Sequence, residues 1–202
     1  NSAAAEQTPD AESASAALEP DLSGELTLYL TLMMALSPTD VLIGEKDYEL
    51  LLAIHHAVQD LHLGVRVQGV PAVRMPDGVV MSLRNTRVPE DKREDVAALS
   101  AALTAGAHAA GAGADKVCEV AAGVLEAAGV EPEYLEVRGR DLGKPPAEGD
   151  ARLLVAATIG GVRLIDNVGL PLGIGFTNIE EHEAKAELER EKQREQNQSP
   201  ED

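Results

Sequence analysis

Apolar residues crowd the first patterned stretch of the chain. Leu26, Leu28, Leu30, Leu32, Met33 and Leu36 leave no polar stripe in residues 25–36, and Pro38 stops the run. At about 12 residues the stretch is too short to span a bilayer, so it is expected to be a buried helix. Val41-Leu42-Ile43, ending at Gly44, reads as a short buried strand. Over residues 45–61, Leu51, Ile54, Val58 and Leu61 recur at helical spacing, and Gly64 closes that segment. Val65, Val67 and Val70 mark a second strand. Strand, helix and strand make a β-α-β unit, which belongs to a parallel sheet.

After Pro71 the pattern changes. Pro76, Asp77-Gly78 and Pro89 break residues 73–87 into a loop with short extended pieces. Residues 90–109 place Val96, Leu99 and Leu103 on one helical face. Gly111 and Gly113 lead into a second helix through Val117, Val120, Val124 and Leu125. Strands are expected over residues 134–138, 152–159 and 162–168, with Gly160-Gly161 as a two-residue hairpin turn. The chain is therefore expected to be α/β: a β-α-β unit followed by a small α+β domain with an antiparallel sheet.

Charge divides the 202 residues differently. The formal net charge is −18. Residues 1–24 hold five acids and no base, in an Ala-, Ser- and Pro-containing stretch without periodicity, and read as a flexible acidic arm. Residues 177–202 are a charged tail whose Glu181, Lys185 and Glu189 have the spacing of exposed helical pairs. That tail carries little apolar surface, so it is expected to be a solvated helix or disordered. A chain this acidic, with three Tyr, one Phe and no Trp, is not expected to bind nucleic acid. No apolar run is long enough for a membrane span, and no secretory signal pattern opens the chain, so a cytoplasmic protein is expected. The chain does not begin with Met and is expected to be incomplete.

Candidate chemistry is sparse. His55 and His56 are adjacent, so on a helix they point about 100° apart and cannot share a metal. No metal site is expected. Cys118 falls on the apolar side of a helical pattern and reads as a buried structural thiol. Glu45 and Asp47 flank Lys46 just beyond a strand. This suits a phosphate or ribose site at a strand's carboxyl end, and suits equally a helix start whose acids complement the dipole. Ser82 and Arg84 lie on a loop where a hydroxyl and a guanidinium can meet phosphate oxygens; most such loops bind nothing.

Several ordered motifs resemble one family. Gly44-Glu45-Lys46-Asp47-Tyr48, Gly69-Val70-Pro71, Arg74 with Asp77-Gly78, and Met81-Ser82-Leu83-Arg84-Asn85 follow the order and spacing of pantothenate synthetases, the pantoate–β-alanine ligases. Tyr134-Leu135-Glu136-Val137-Arg138, Ala151-Arg152-Leu153-Leu154-Val155-Ala156-Ala157 and Arg163-Leu164-Ile165-Asp166-Asn167 extend the likeness. The resemblance implies a Rossmann-like nucleotidyl-transferase unit, of which residues 25–72 would be a remnant, followed by a lid domain over residues 73–176. It implies ATP with Mg²⁺, and pantoate and β-alanine as substrates. Pantoate would be adenylated, and the β-alanine amine would then displace AMP to give pantothenate. By resemblance Gly44 and Asp47 would meet the nucleotide and its ribose, and Lys46 would neutralise phosphates. Val73 and Met81 would border the adenine with backbone groups, and Ser82 and Arg84 would lie on the phosphate-binding lid.

The departures from that pattern fall on function. No H-x-G-H element, which the family places on the ATP phosphates, occurs in the sequence. Leu50 stands where the family has a pantoate-binding glutamine, and Leu83 where it has a second lid serine. The isolated chain is therefore expected to be inactive. It would be an N-terminally truncated or degenerate member, acting as a homodimer or with a complementing N-terminal half. The alternative is a non-catalytic homologue serving association or regulation.

Overall fold

A computed structural model of the chain describes residues 22–173. The acidic arm up to residue 21 and the charged tail from residue 177 lie outside the described residues.

The first helix, α1 (Ser23–Leu36), forms as expected and ends at Ser37, whose left-handed backbone (φ 47) returns its N–H to the Met33 carbonyl. It is not buried, however. Met33 is enclosed, but Leu28, Leu32, Met34 and Leu36 are exposed, Leu36 by 74%. A helix that is apolar all round needs neighbours on more than one side. The described residues supply one helical neighbour, α2 (Tyr48–Asp60).

Strands β1 (Asp40–Gly44) and β2 (Arg66–Val70) pair in parallel, Val41 beside Val67 and Ile43 beside Gly69, with α2 as the connection. Side chains alternate along a strand, so Ile43 points into the α2 cluster of Leu50, Leu51, Ile54 and Val58 while Leu42 is left exposed. Among the described residues this sheet has only two strands.

The expected loop over residues 73–87 is more regular than its prolines suggest. Arg74 bridges Val80 across an Asp77-Gly78 turn, where Gly78 has φ 85, and a 3-10 turn (Leu83–Arg87) starts at Ser82. Helices α3 (Arg93–His108) and α4 (Ala114–Ala127) follow, then β3 (Pro132–Gly139), β4 (Gly149–Ile159) and β5 (Val162–Leu172) in one antiparallel sheet. Gly160 and Gly161 both have positive φ, as the tight hairpin turn requires.

The helices cover one face of this sheet, α3 over β4 and β5 and α4 over β3. Leu153, Val155, Ala157 and Ile159 alternate toward Leu99, Leu103, Val117 and Leu125 in the main core. Leu154 and Ala156 face the other way and meet Tyr134. Leu142 packs against both that face and the α2 cluster, so it bridges the two halves. Cys118 is half-buried, and burial pushes its thiol up from the ordinary pKa. Among the described residues no helix is long and apolar enough to cross a membrane.

Candidate functional site

The turn after β1 lies where the first half meets the second. Residues 45–47 do not start the helix, which begins only at Tyr48. They form a turn anchored at both ends: Glu45 N–H donates to the Val70 carbonyl (2.8 Å), and Leu51 N–H donates to the Asp47 carbonyl (3.0 Å). Gly69 makes room for it, since a Cβ there would lie 3.0 Å from Glu45 Oε1 and 3.2 Å from Leu51 Cδ2.

The two acids around Lys46 take separate tasks. Glu45 pairs with Arg152 of β4 at 3.2 Å, and that guanidinium also lies over the Tyr48 ring, 3.8 Å from its centroid. Asp47 occupies the position before α2 but makes no side-chain cap bond. It lies instead 3.5 Å from Lys46 Nζ. Lys46 is largely enclosed, its side chain only 14% exposed. A cation so placed is screened little by solvent.

Strand β5 holds this turn from the far half. Asn167 Nδ2 donates to the carbonyls of both Glu45 (3.0 Å) and Lys46 (2.8 Å), while its Oδ1 accepts from Arg152. Its neighbour Asp166 is buried. It accepts from Arg74 Nη1 (2.7 Å) and Nη2 (3.0 Å), from Ser100 Oγ and from the Asn167 N–H. Arg74 also donates to the carbonyls of Gly78 and Asn167. One buried acid thus fixes a bidentate arginine whose fork matches a carboxylate. Two further contacts tie α2 to β3 and the turn after it: Tyr48 Oη donates to the Arg140 carbonyl (2.7 Å), and Tyr134 Oη donates to Glu49 (3.2 Å). Burial, with the Glu49 charge, pushes the Tyr134 phenol up, so it remains a donor.

The second set of candidates lies beyond Arg74. Met81 N–H donates to the Val73 carbonyl (2.8 Å), joining the two residues expected to border a base. Ser82 caps the 3-10 turn by accepting from the Arg84 N–H (3.2 Å). Among the described residues Arg84 has no carboxylate within ion-pair distance, and Leu83 is 85% exposed. A cavity of about 580 Å³ opens beside this loop, lined by Met75, Met81, Ser82, Leu83 and Arg93 among others.

The structure therefore gathers Gly44, Lys46 and Asp47 at one turn and Val73, Met81, Ser82 and Arg84 on one loop. Among the described residues no hydrogen bond or ion pair joins the sets directly; the connection runs through Asp166 and Asn167. Periodicity and motif spacing assign these two residues no role, although they are the polar pair that interrupts Leu164-Ile165 and Val168. Leu50 is a buried member of the α2 core cluster, whereas Leu83 is a surface residue.

Known proteins share this arrangement of sequence and fold. The family model for pantoate-beta-alanine ligase matches residues 11–169. The chain is 47% identical over 160 residues to a pantothenate synthetase of Corynebacterium jeikeium, covering 79% of this chain and 52% of that protein. It is 47% identical over 152 residues to one of Nocardia farcinica, covering 75% and 48%. The chain thus spans about half the length of the curated relatives it matches. Among solved structures, pantothenate synthetase from Thermus thermophilus superposes with a TM-score of 0.67 at 32% identity, covering 72% of this chain and 54% of that one. Pantoate-beta-alanine ligase from Francisella tularensis, complexed with β,γ-ATP and β-alanine, gives 0.56 at 25% identity, covering 73% and 49%.

Proposed function

The chain belongs to the pantoate-beta-alanine ligase family, and we propose that it supplies the strand-end turn and the lid of a site that adenylates pantoate and passes the acyl group to β-alanine. The observation that carries this reading is the family match across both candidate sets, from Gly44 through Arg84.

In the first step negative charge builds on phosphate oxygens, so the protein's work is positioning and electrostatic stabilisation. Lys46 is suited to it, because an enclosed ammonium acts on phosphate with little screening. Gly44 and Asp47 would face the nucleoside. Val73 and Met81 would border the base, with one restriction: the Met81 N–H and the Val73 carbonyl already bond each other, leaving the Val73 N–H and the Met81 carbonyl for the base edge. Ser82 and Arg84 would meet phosphate from the lid side.

Mg²⁺ would enter with ATP. Among the described residues no three His, Cys, Asp or Glu are grouped to hold a metal, and Mg²⁺ commonly binds through substrate phosphates.

The exposed side of α1, the outward Leu42 and the two-stranded parallel sheet support a further part of the reading. Parallel sheets are normally covered on both faces. The expected partner is the remainder of a ligase fold, as a complementing N-terminal half, with a homodimer of the assembled protein beyond it. On the same reading residues 25–72 form the nucleotide-binding remnant and residues 73–176 the lid, in the cytoplasm. None of the observations favours a non-catalytic role.

The reading is tested by titrating Mg-ATP into the chain co-expressed with the part of the Corynebacterium jeikeium relative that it does not cover. Saturable binding, weakened by Lys46→Ala and by Arg84→Ala, is expected. Binding that neither substitution weakens would refute the assignment.

A further inference from the structure

We infer that Asn167, backed by Asp166, is a positioning residue: it fixes the turn that carries Lys46 and ties that turn to the Val73–Arg84 loop. The inference rests on the ligase reading for its functional meaning, but its geometry stands alone.

Asn167 is only 6% exposed, and every polar group on its side chain is used. Both Nδ2 hydrogens go to main-chain carbonyls of the turn, at Glu45 and Lys46. A carbonyl pair held by one amide leaves the peptide planes on either side of Lys46 little freedom. The Lys46 side chain therefore starts from a fixed point. Oδ1 is held in turn by Arg152, which also holds the Glu45 carboxylate. Asp166 orients the Asn167 main chain through its N–H and binds Arg74 through two hydrogen bonds. Arg74 is next to Val73 and bridges Val80, so the same strand position sets the course of the loop that ends in Ser82 and Arg84. Two segments well separated in sequence are thus referred to one pair on β5. No side-chain atom of Asn167 or Asp166 needs to touch a substrate for this to matter, since a small misplacement of a catalytic group is costly.

The test uses Asn167→Asp, which keeps the size and the oxygen facing Arg152 but sets an oxygen against two carbonyls. Asn167→Ala is run beside it, in case the new carboxylate prevents folding. In the full chain, exchange of the Glu45 amide, which the turn holds against the Val70 carbonyl, should accelerate roughly tenfold or more, while β4 and β5 keep their protection. In the chain co-expressed with the uncovered part of the Corynebacterium jeikeium relative, Mg-ATP affinity should fall by a similar factor. In a Lys46→Ala background the Asn167 substitution should then change affinity little, because it acts through Lys46. Unchanged exchange at the Glu45 amide in a folded variant would overturn the proposal. So would an affinity loss of equal size with and without Lys46, the mark of a general structural effect. If the co-expressed pair binds no Mg-ATP, the ligase reading falls, and the exchange result alone decides whether Asn167 holds the turn.

Discussion

Replacing Asp166 by alanine removes the acceptor that holds Arg74 beside the second set of candidate residues. Asp166 is 3% exposed and accepts four hydrogen bonds, two from Arg74, one from Ser100 and one from the Asn167 N–H. Removing one partner of a buried ion pair costs about 3–5 kcal/mol, chiefly because the other charge is stranded. Here the Arg74 side chain is 31% exposed and keeps two carbonyl acceptors, so part of that penalty is relieved by water. The expected loss is about 3 kcal/mol, at the low end of that range. Urea unfolding followed by far-ultraviolet circular dichroism measures it as a lower midpoint at constant slope. A companion variant separates the causes. Arg74→Met combined with Asp166→Ala removes the stranded cation, and should recover part of the loss while leaving the Asn167 N–H unpaired, at about 1–2 kcal/mol. An Asp166→Ala cost below about 1 kcal/mol would refute the reasoning, because it would mean the arginine gains little from the pair. So would a double variant less stable than Asp166→Ala alone.

The two leucine departures should behave oppositely. Leu50→Gln places an amide in the α2 core and should cost about 2 kcal/mol or more in urea unfolding, whereas Leu83→Ser on the surface should change stability by less than about 0.5 kcal/mol. Gly160→Ala should destabilise the β4–β5 hairpin, seen as a lower melting temperature, because a Cβ there would lie 2.6 Å from Pro89 Cδ at φ 57. The Thr158 hydroxyl and then Arg163 hold the Glu133 carboxyl below its ordinary pKa, against an opposing effect of burial. Its contribution to stability is therefore present above the ordinary carboxylate range and lost as the pH falls through the depressed value. The stability gap between wild type and Glu133→Gln should shrink on acidification, and a gap that widens would contradict the assignment.

Much of the architecture follows from local pattern. The apolar run in β4, the double glycine and the helical spacing of Leu51, Ile54 and Val58 each specify their element without help from distant residues. What escapes the pattern depends on partners far along the chain. Spacing alone starts the helix after β1 at residue 45, yet residues 45–47 remain a turn because Asn167, more than a hundred positions away, takes two of their carbonyls. Residues 25–36 read as buried because they are apolar on every side, but the described residues cover one side only. Periodicity reports what a helix could bury, not whether a neighbour is there to bury it. Glu45 and Asp47 are indistinguishable in sequence; Arg152 on β4 separates them by pairing with one. Lys46, Ser82 and Arg84 are candidates from their chemistry and from family likeness, while the roles of Arg74, Asp166 and Asn167 emerge from the packing. Their trace in the sequence is small: they stand within the shared motifs without an assigned role, Asp166 and Asn167 as a polar pair between Leu164-Ile165 and Val168.

On the proposed reading, this chain carries part of a pantoate–β-alanine ligase site and acts together with the rest of the fold. Pantothenate formation from ATP, pantoate and β-alanine tests it directly, assayed by mass spectrometry for the chain alone and for the chain co-expressed with the uncovered part of the Corynebacterium jeikeium relative. The account predicts no product from the chain alone, and product from the pair that disappears with Lys46→Ala. Turnover by the chain alone, or a co-expressed and associated pair that makes no pantothenate, would contradict it.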